Sequence, residues 1–169
     1  FIVRREDHIR RTVFAYLTVW VSAYACFLAY PTIAPRPLTV AGDGFAVWGL
    51  RLLYSADPPY NCFPSLHVAH SFVSAFTSFR VHRGVGTVAT ICASLVAVST
   101  LFTRQHYVLD VIAGTALASI GSLVFLRNFR EDVPERDRRV APLLAASIVS
   151  ILAIGFACYW VAYLSGVQP

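Results

Sequence analysis

Two short segments carry residues whose types and spacing can do chemistry. They are Cys62-Phe63-Pro64-Ser65-Leu66-His67 and Thr103-Arg104-Gln105-His106-Tyr107-Val108-Leu109-Asp110, each at the entrance to a long apolar stretch. His67 and His106 are 39 residues apart, the length of one helix across a bilayer, one helix back and two short turns. That spacing returns both imidazoles to one membrane face at one depth. Asp110 follows His106 at i+4, on the same helical side. An ionisable group at a membrane is costly and is retained where it is paired or functional. Here the carboxylate is expected to accept the His106 N–H, fix the tautomer and leave the other ring nitrogen basic. His67, from a parallel neighbouring helix, suits a general acid. Arg36 and Arg104 offer guanidinium forks that match phosphate. The Ser65 hydroxyl and the free N–H groups of the helix that Pro64 opens form an anion seat. A nucleophilic histidine, an acid histidine, cations and a helix N-terminus together point to phosphoryl transfer through a phosphohistidine.

Two histidines and one aspartate also match a facial metal triad. The arginines argue against that reading, because they repel a cation and attract a phosphate, so neither metal nor cofactor is expected. His70 and Ser71 are expected to pack or to support the site, and Arg51 to anchor an interfacial stretch. His8 and His82, in basic segments, are expected to be solvated. Cys26, Cys92 and Cys158 lie inside apolar runs and Cys62 in a loop, so no disulfide framework is visible. Cys62 reads as a reactive thiol or, more simply, as a small apolar filler.

The elements that must position these groups are apolar. With 57% hydrophobic and 14% charged residues and a mean hydropathy of +0.61, the 169-residue chain is too apolar for an ordinary soluble domain. It contains no methionine and begins at Phe1, so a fragment, a processed form or the ordered part of something longer is expected. Five stretches suit membrane spans: Thr12–Tyr30, Pro64–Phe79, Val85–Phe102, Tyr107–Leu126 and Val140–Leu164. Pro64–Phe79 is short, and Pro142 suits the first turn of the last span. Ala23-Tyr24-Ala25 offers a signal-peptidase site as an alternative reading of the first, but its uninterrupted run reads as an ordinary anchor. All 14 basic residues are arginine. Eleven flank the spans on one side (Arg4, Arg5, Arg10 and Arg11; Arg80 and Arg83; Arg127, Arg130, Arg136, Arg138 and Arg139) and only Arg36, Arg51 and Arg104 lie on the other. The alternation places the N-terminus in the cytoplasm and both histidines at the external face. It also excludes a nucleic-acid role for the +5 charge, since the arginines fill gaps between spans rather than one face. Pro31–Asn61 forms a long external loop with an amphipathic stretch, Phe45–Tyr54, suited to the interface. The segment Arg127–Arg139 reads as a solvated connector. The expected fold is therefore an all-helical membrane bundle forming one domain over residues 1–169.

At these residues the chain resembles the type 2 phosphatidic acid phosphatase superfamily, whose pattern is K-x6-R-P, then P-S-G-H, then S-R-x5-H-x3-D. Arg36-Pro37 stands for the first block, Pro64-Ser65-Leu66-His67 for the second and His106 through Asp110 for the third. The resemblance implies His106 as nucleophile, Asp110 as its partner, His67 as acid for the leaving group, and Arg36 and Ser65 as phosphate binders. It implies a helix-packing role for Gly114. There are departures: Ala29 replaces the lysine, Leu66 replaces the glycine, and the third-block arginine is absent, with Arg104 the nearest cation. The P-S-L-H form and Tyr30-Pro31-Thr32-Ile33-Ala34-Pro35-Arg36 look more like the branch of the inositol phosphorylceramide synthases. The likeness covers about residues 30–118, the expected catalytic core. Members usually have six spans, so a helix before Phe1 is expected.

The activity expected is a lipid-phosphate phosphatase in a bacterial plasma membrane, with a lipid phosphate and the membrane lipids as partners. The alternative is a phosphotransferase that moves the phospho head group to a polyol such as inositol. A transporter or proton relay would instead place ionisable residues at mid-membrane depth on several helices, and these spans hold almost none beyond their outer ends.

Overall fold

The computed structural model describes residues 3, 5–37, 39–127 and 134–168. Six helices follow one another: α1 Glu6–Ala29, α2 Phe45–Ala56, α3 Leu66–Val81, α4 Arg83–Phe102, α5 Val108–Leu126 and α6 Glu135–Leu164. Among the described residues there is no strand, only an isolated bridge between Ile33 and Tyr60. Helices α1, α4, α5 and α6 are long and apolar enough to cross a membrane. Their outward faces carry large apolar side chains, with Leu28 86% and Phe102 84% exposed. Water would not tolerate such faces at this density, and lipid covers them at no cost. The chain is an integral membrane protein. Helix α3 has 16 residues, about 24 Å at 1.5 Å per residue, and is shorter than a bilayer's hydrocarbon core.

Short α3 lies at the centre. Ala69 and Val73 of α3, Ala15 and Val19 of α1 and Ala118 of α5 form the fully buried core. Small residues on three helices let backbones approach, which is how membrane helices gain packing energy in a solvent as apolar as their side chains. At Gly121 a β-carbon would meet the Ala15 carbonyl at 3.1 Å, and at Gly114 it would meet the Ser65 carbonyl at 2.5 Å. The second contact fixes the start of α3 against α5, the packing role expected for Gly114.

The helix ends sort into two groups. Arg11 donates to the Phe125 carbonyl at 3.1 Å, joining the start of α1 to the end of α5, and Val81 at the end of α3 packs on Ala141 near the start of α6. At the opposite end Phe45 of α2 stacks edge-on to Trp160 of α6 at 4.7 Å, and Trp48 donates to the Val167 carbonyl at 2.6 Å. The amphipathic stretch therefore packs on the end of α6.

Several boundaries differ from expectation for local reasons. Pro64 precedes the Ser65 N-cap of α3 instead of opening the first turn. Helix α6 begins at Glu135, where Glu135 and Asp137 favour a positive helix terminus, and so Pro142 lies inside it. Its missing N–H removes one hydrogen bond in the ladder. Residues 128–133 of the expected connector, Arg130 among them, lie outside the described residues, and residues 135–139 belong to α6. His8 is fully buried because α1 starts at Glu6 and turns that side chain into the bundle. His82 accepts from the Val85 N–H at 3.2 Å and caps α4. Arg51 grips the Val40 carbonyl at 2.8 Å and the Gly42 carbonyl at 2.9 Å, pinning the loop that leads into α2.

Candidate active site

The long loop is folded back on itself by its own backbone. Thr32 Oγ1 accepts from the N–H groups of Cys62 (3.0 Å) and Phe63 (2.9 Å). The Asn61 N–H reaches the Thr32 carbonyl at 2.8 Å, and the Ala34 N–H reaches the Pro59 carbonyl at 3.1 Å. This lacing fixes the Cys62 carbonyl beside His106. On the other side the Thr100 carbonyl accepts from the N–H groups of Gln105 (3.0 Å) and His106 (3.2 Å). The Ser65 N–H donates to the Asp110 carbonyl at 3.1 Å, holding the starts of α3 and α5 in register.

His67 and His106 consequently face each other, with His67 Nδ1 3.4 Å from His106 Nε2. His106 is 9% exposed. Its Nδ1 donates to the Cys62 carbonyl at 2.9 Å, so Nε2 keeps its lone pair and points at His67. The Asp110 carboxylate accepts the Tyr107 N–H at 2.8 Å and stands 3.6 Å from His106 Nδ1. The orienting hydrogen bond therefore comes from a backbone carbonyl, and Asp110 adds a charge behind it while capping α5. Burial, followed by the charge of His67, pushes the His106 pKa below the ordinary histidine value against the opposing pull of Asp110 and the Cys62 carbonyl. A neutral, nucleophilic imidazole is favoured.

Both rings open on a cavity of about 240 Å³ walled by Tyr24 and Phe27 of α1 and by Leu66. Arg36 and Asp57 complete its polar side. The Arg36 side chain is 7% exposed, its Nη2 is 2.9 Å from Asp57 Oδ2, its Nη1 donates to the Asp57 carbonyl, and its guanidinium lies 4.8 Å over the Tyr54 ring. Gln105 Nε2 holds the same Asp57 oxygen at 2.8 Å. Burial alone would raise the Asp57 pKa, but the hydrogen bonds from Gln105 and Arg36 and the Arg36 charge bring it below the usual carboxylate value. Asp57 and Gln105 are site residues that sequence reasoning missed. The one hint is position: Asp57 stands before Pro58-Pro59 in the loop that carries Arg36.

The other expected binders are placed differently. Ser65 is fully buried and its hydroxyl faces the Val68 N–H at 3.4 Å as the cap of α3. Arg104, at φ 53°, lines a separate cavity of about 180 Å³ on the other side of His106, with Tyr107 and Pro35. The Cys62 thiol is buried, and burial raises its pKa. It is a filler whose backbone does the positioning. His70 accepts from Trp20 Nε1 at 2.5 Å, and Ser71 donates to the His67 carbonyl at 2.8 Å, both supporting roles. His67 and Asp110 lie against opposite edges of the His106 ring. Among the described residues no three His, Cys, Asp or Glu side chains group as metal ligands.

Comparison with known proteins follows the same residues. A PA-phosphatase related-family protein of Dictyostelium discoideum is 31% identical over 119 residues, which are 64% of this chain and 22% of that protein. The chain thus spans about a fifth of the length of that relative. No solved structure matches the chain. The family model of the PAP2 superfamily matches residues 1–124, a span that holds Arg36, both histidines and Asp110, and the chain belongs to the PAP2 superfamily.

Proposed function

We propose that the protein is a lipid-phosphate phosphatase working through a phosphohistidine on His106. The observation that carries this reading is the facing of an unprotonated His106 Nε2 and His67 at 3.4 Å on a cavity flanked by Arg36. A bound phosphate ester takes the place of the direct contact between the rings. His106 Nε2 attacks phosphorus, the P–N bond forms as the ester P–O bond breaks, and His67 gives its proton to the departing alkoxide. Water then attacks the phosphohistidine, His67 takes back a proton, and inorganic phosphate leaves with both imidazoles restored. Arg36 holds the phosphoryl oxygens. Ser65 serves by fixing the start of α3, and Arg104 guards the second opening beside His106. The acceptor decides between hydrolase and transferase. The polar rim made by Asp57, Asn61 and Gln105 suits polyol hydroxyls, which keeps transfer to a polyol as the second reading. Incubating the protein with a labelled lipid phosphate, with and without inositol or glycerol, tests both. Label in inorganic phosphate alone supports the hydrolase, label in the polyol supports the transferase, and label left on the lipid sinks both.

The proposed chemistry needs no metal. Activity is expected to survive EDTA without added divalent ions, and loss on chelation restored by one specific metal would contradict it.

Asp57 predicts a binding effect. Replacing it by Asn removes the charge that aims Arg36, so KM for a lipid phosphate should rise roughly tenfold with kcat changed less. A KM that falls would make Asp57 a competitor for the guanidinium rather than its holder.

The arginine distribution supports a five-span topology that includes α3 and has the histidine end at the external face. In a background with Cys26, Cys62, Cys92 and Cys158 replaced, a cysteine at Asp43 should react with an impermeant reagent on intact cells and one at Arg136 should not. The reverse pattern would put the site in the cytoplasm.

A further inference from the structure

At the end of the molecule opposite the histidines, a cavity of about 540 Å³ lies between the end of α3, the start of α4 and the last turns of α5. Arg80 and Arg83 form its rim, Phe79 and Leu123 its walls, and Ser122 lines it from α5. Two other arginines at this end are engaged, Arg10 with Asp7 and Arg139 with Glu135. The Arg80 and Arg83 side chains have no hydrogen bond or ion pair among the described residues. Ser122 is 9% exposed, yet among the described residues its hydroxyl has no partner. Its neighbours on the same helix, Thr115 and Ser119, each bond a carbonyl one turn back, at 2.9 and 2.8 Å. A buried hydroxyl without a partner costs free energy, and this one faces a cavity rimmed by two uncompensated guanidiniums.

We propose that this cavity binds an anionic phospholipid, its phosphate between Arg80, Arg83 and the Ser122 hydroxyl and its acyl chain along Phe79 and Leu123. Guanidinium pairs match phosphate oxygens, and basic pockets between membrane helices are the sites where anionic head groups are held. The mixed lining selects a lipid over free phosphate, because the apolar walls would gain nothing from a small anion. The site is remote from the reaction: α3 carries His67 at its first turn and Arg80 at its last. Lipid bound here braces the α3–α4 corner, and so the element that presents His67. The proposal is independent of which reaction the histidines perform.

The test is thermal unfolding of the purified full chain in mild detergent, with added phosphatidylglycerol, phosphatidylcholine or inorganic phosphate. Phosphatidylglycerol at saturation should raise Tm by about 5 °C, with the other two giving little. The double variant R80Q/R83Q should lose the increment, whereas R136Q/R138Q, which removes the same charge at the same end, should keep it. Ser122→Ala should weaken binding several-fold. Native mass spectrometry of the unaltered protein gives a readout that does not depend on variant folding, and should show phosphatidylglycerol retained over phosphatidylcholine. Equal shifts from both lipids, an equal shift from inorganic phosphate, or equal losses in the two double variants would overturn the site.

Discussion

Replacing His106 by alanine should abolish turnover and covalent phosphoryl labelling while the protein stays folded. The ring is held by a carbonyl and meets another ring at 3.4 Å, so its loss leaves a small void at the membrane face rather than an opened core. In the proposed mechanism His67 has the proton role, and the Cys62 thiol is buried with its pKa raised, so neither is expected to replace the nucleophile. Asp110→Asn separates two ideas about the partner. Where a carboxylate alone sets the tautomer, its loss costs about 10⁴ in rate. Here the Cys62 carbonyl at 2.9 Å sets it, and Asn can still accept the Tyr107 N–H. The cost should then be roughly 10², from loss of the charge behind an imidazole that becomes cationic. Labelling with a phosphorus-labelled substrate and a thermal melt check both variants. Substantial turnover in His106→Ala would end the nucleophile assignment.

Two kinds of information in this site behave differently when read from sequence. Spacing along apolar runs was legible: the 39-residue interval between His67 and His106 encodes a helix out and back, and the structure brings the rings together. Gly114 was legible too, because a close helix contact needs a residue without a side chain. Contacts made by the backbone were not. The Cys62 carbonyl that orients His106 could belong to any residue type, so no side-chain pattern announces it. Asp57 was hidden for a related reason. Its pairing with Arg36 spans 21 residues that include all of α2, an interval no single period encodes, and the folding of Thr32 onto Cys62 and Phe63 brings the limbs together. Arg104 is a different case: two residues from His106 in sequence and at φ 53°, it lines a second cavity that His106 also borders, which spacing alone does not reveal. Pro142 was misplaced because a helix start was read from proline alone, when the acidic first turn at Glu135 and Asp137 begins the helix earlier.

The role of His67 is the assignment most open to a chemical test, because an acid matters only as much as its leaving group needs a proton. An alkyl phosphate departs as a strongly basic alkoxide; an aryl phosphate departs as a phenolate that needs little help. His67→Ala should therefore cut kcat on a lipid phosphate by about 10²–10⁴ while sparing an aryl phosphate much of that loss. In the proposed second step the same histidine is the base, so phosphohistidine should accumulate on His106 when the aryl substrate is used, because formation outruns hydrolysis. Arg36→Ala makes the contrast. It removes contacts to the phosphoryl oxygens common to both substrates, so both should weaken alike. His67 contacts the reacting edge of His106 without donating its orienting bond, which comes from Cys62. Its removal should leave the nucleophile in place, and the aryl substrate reads that directly. Equal losses on the two leaving groups in His67→Ala would remove the acid assignment and reduce His67 to a positioning residue.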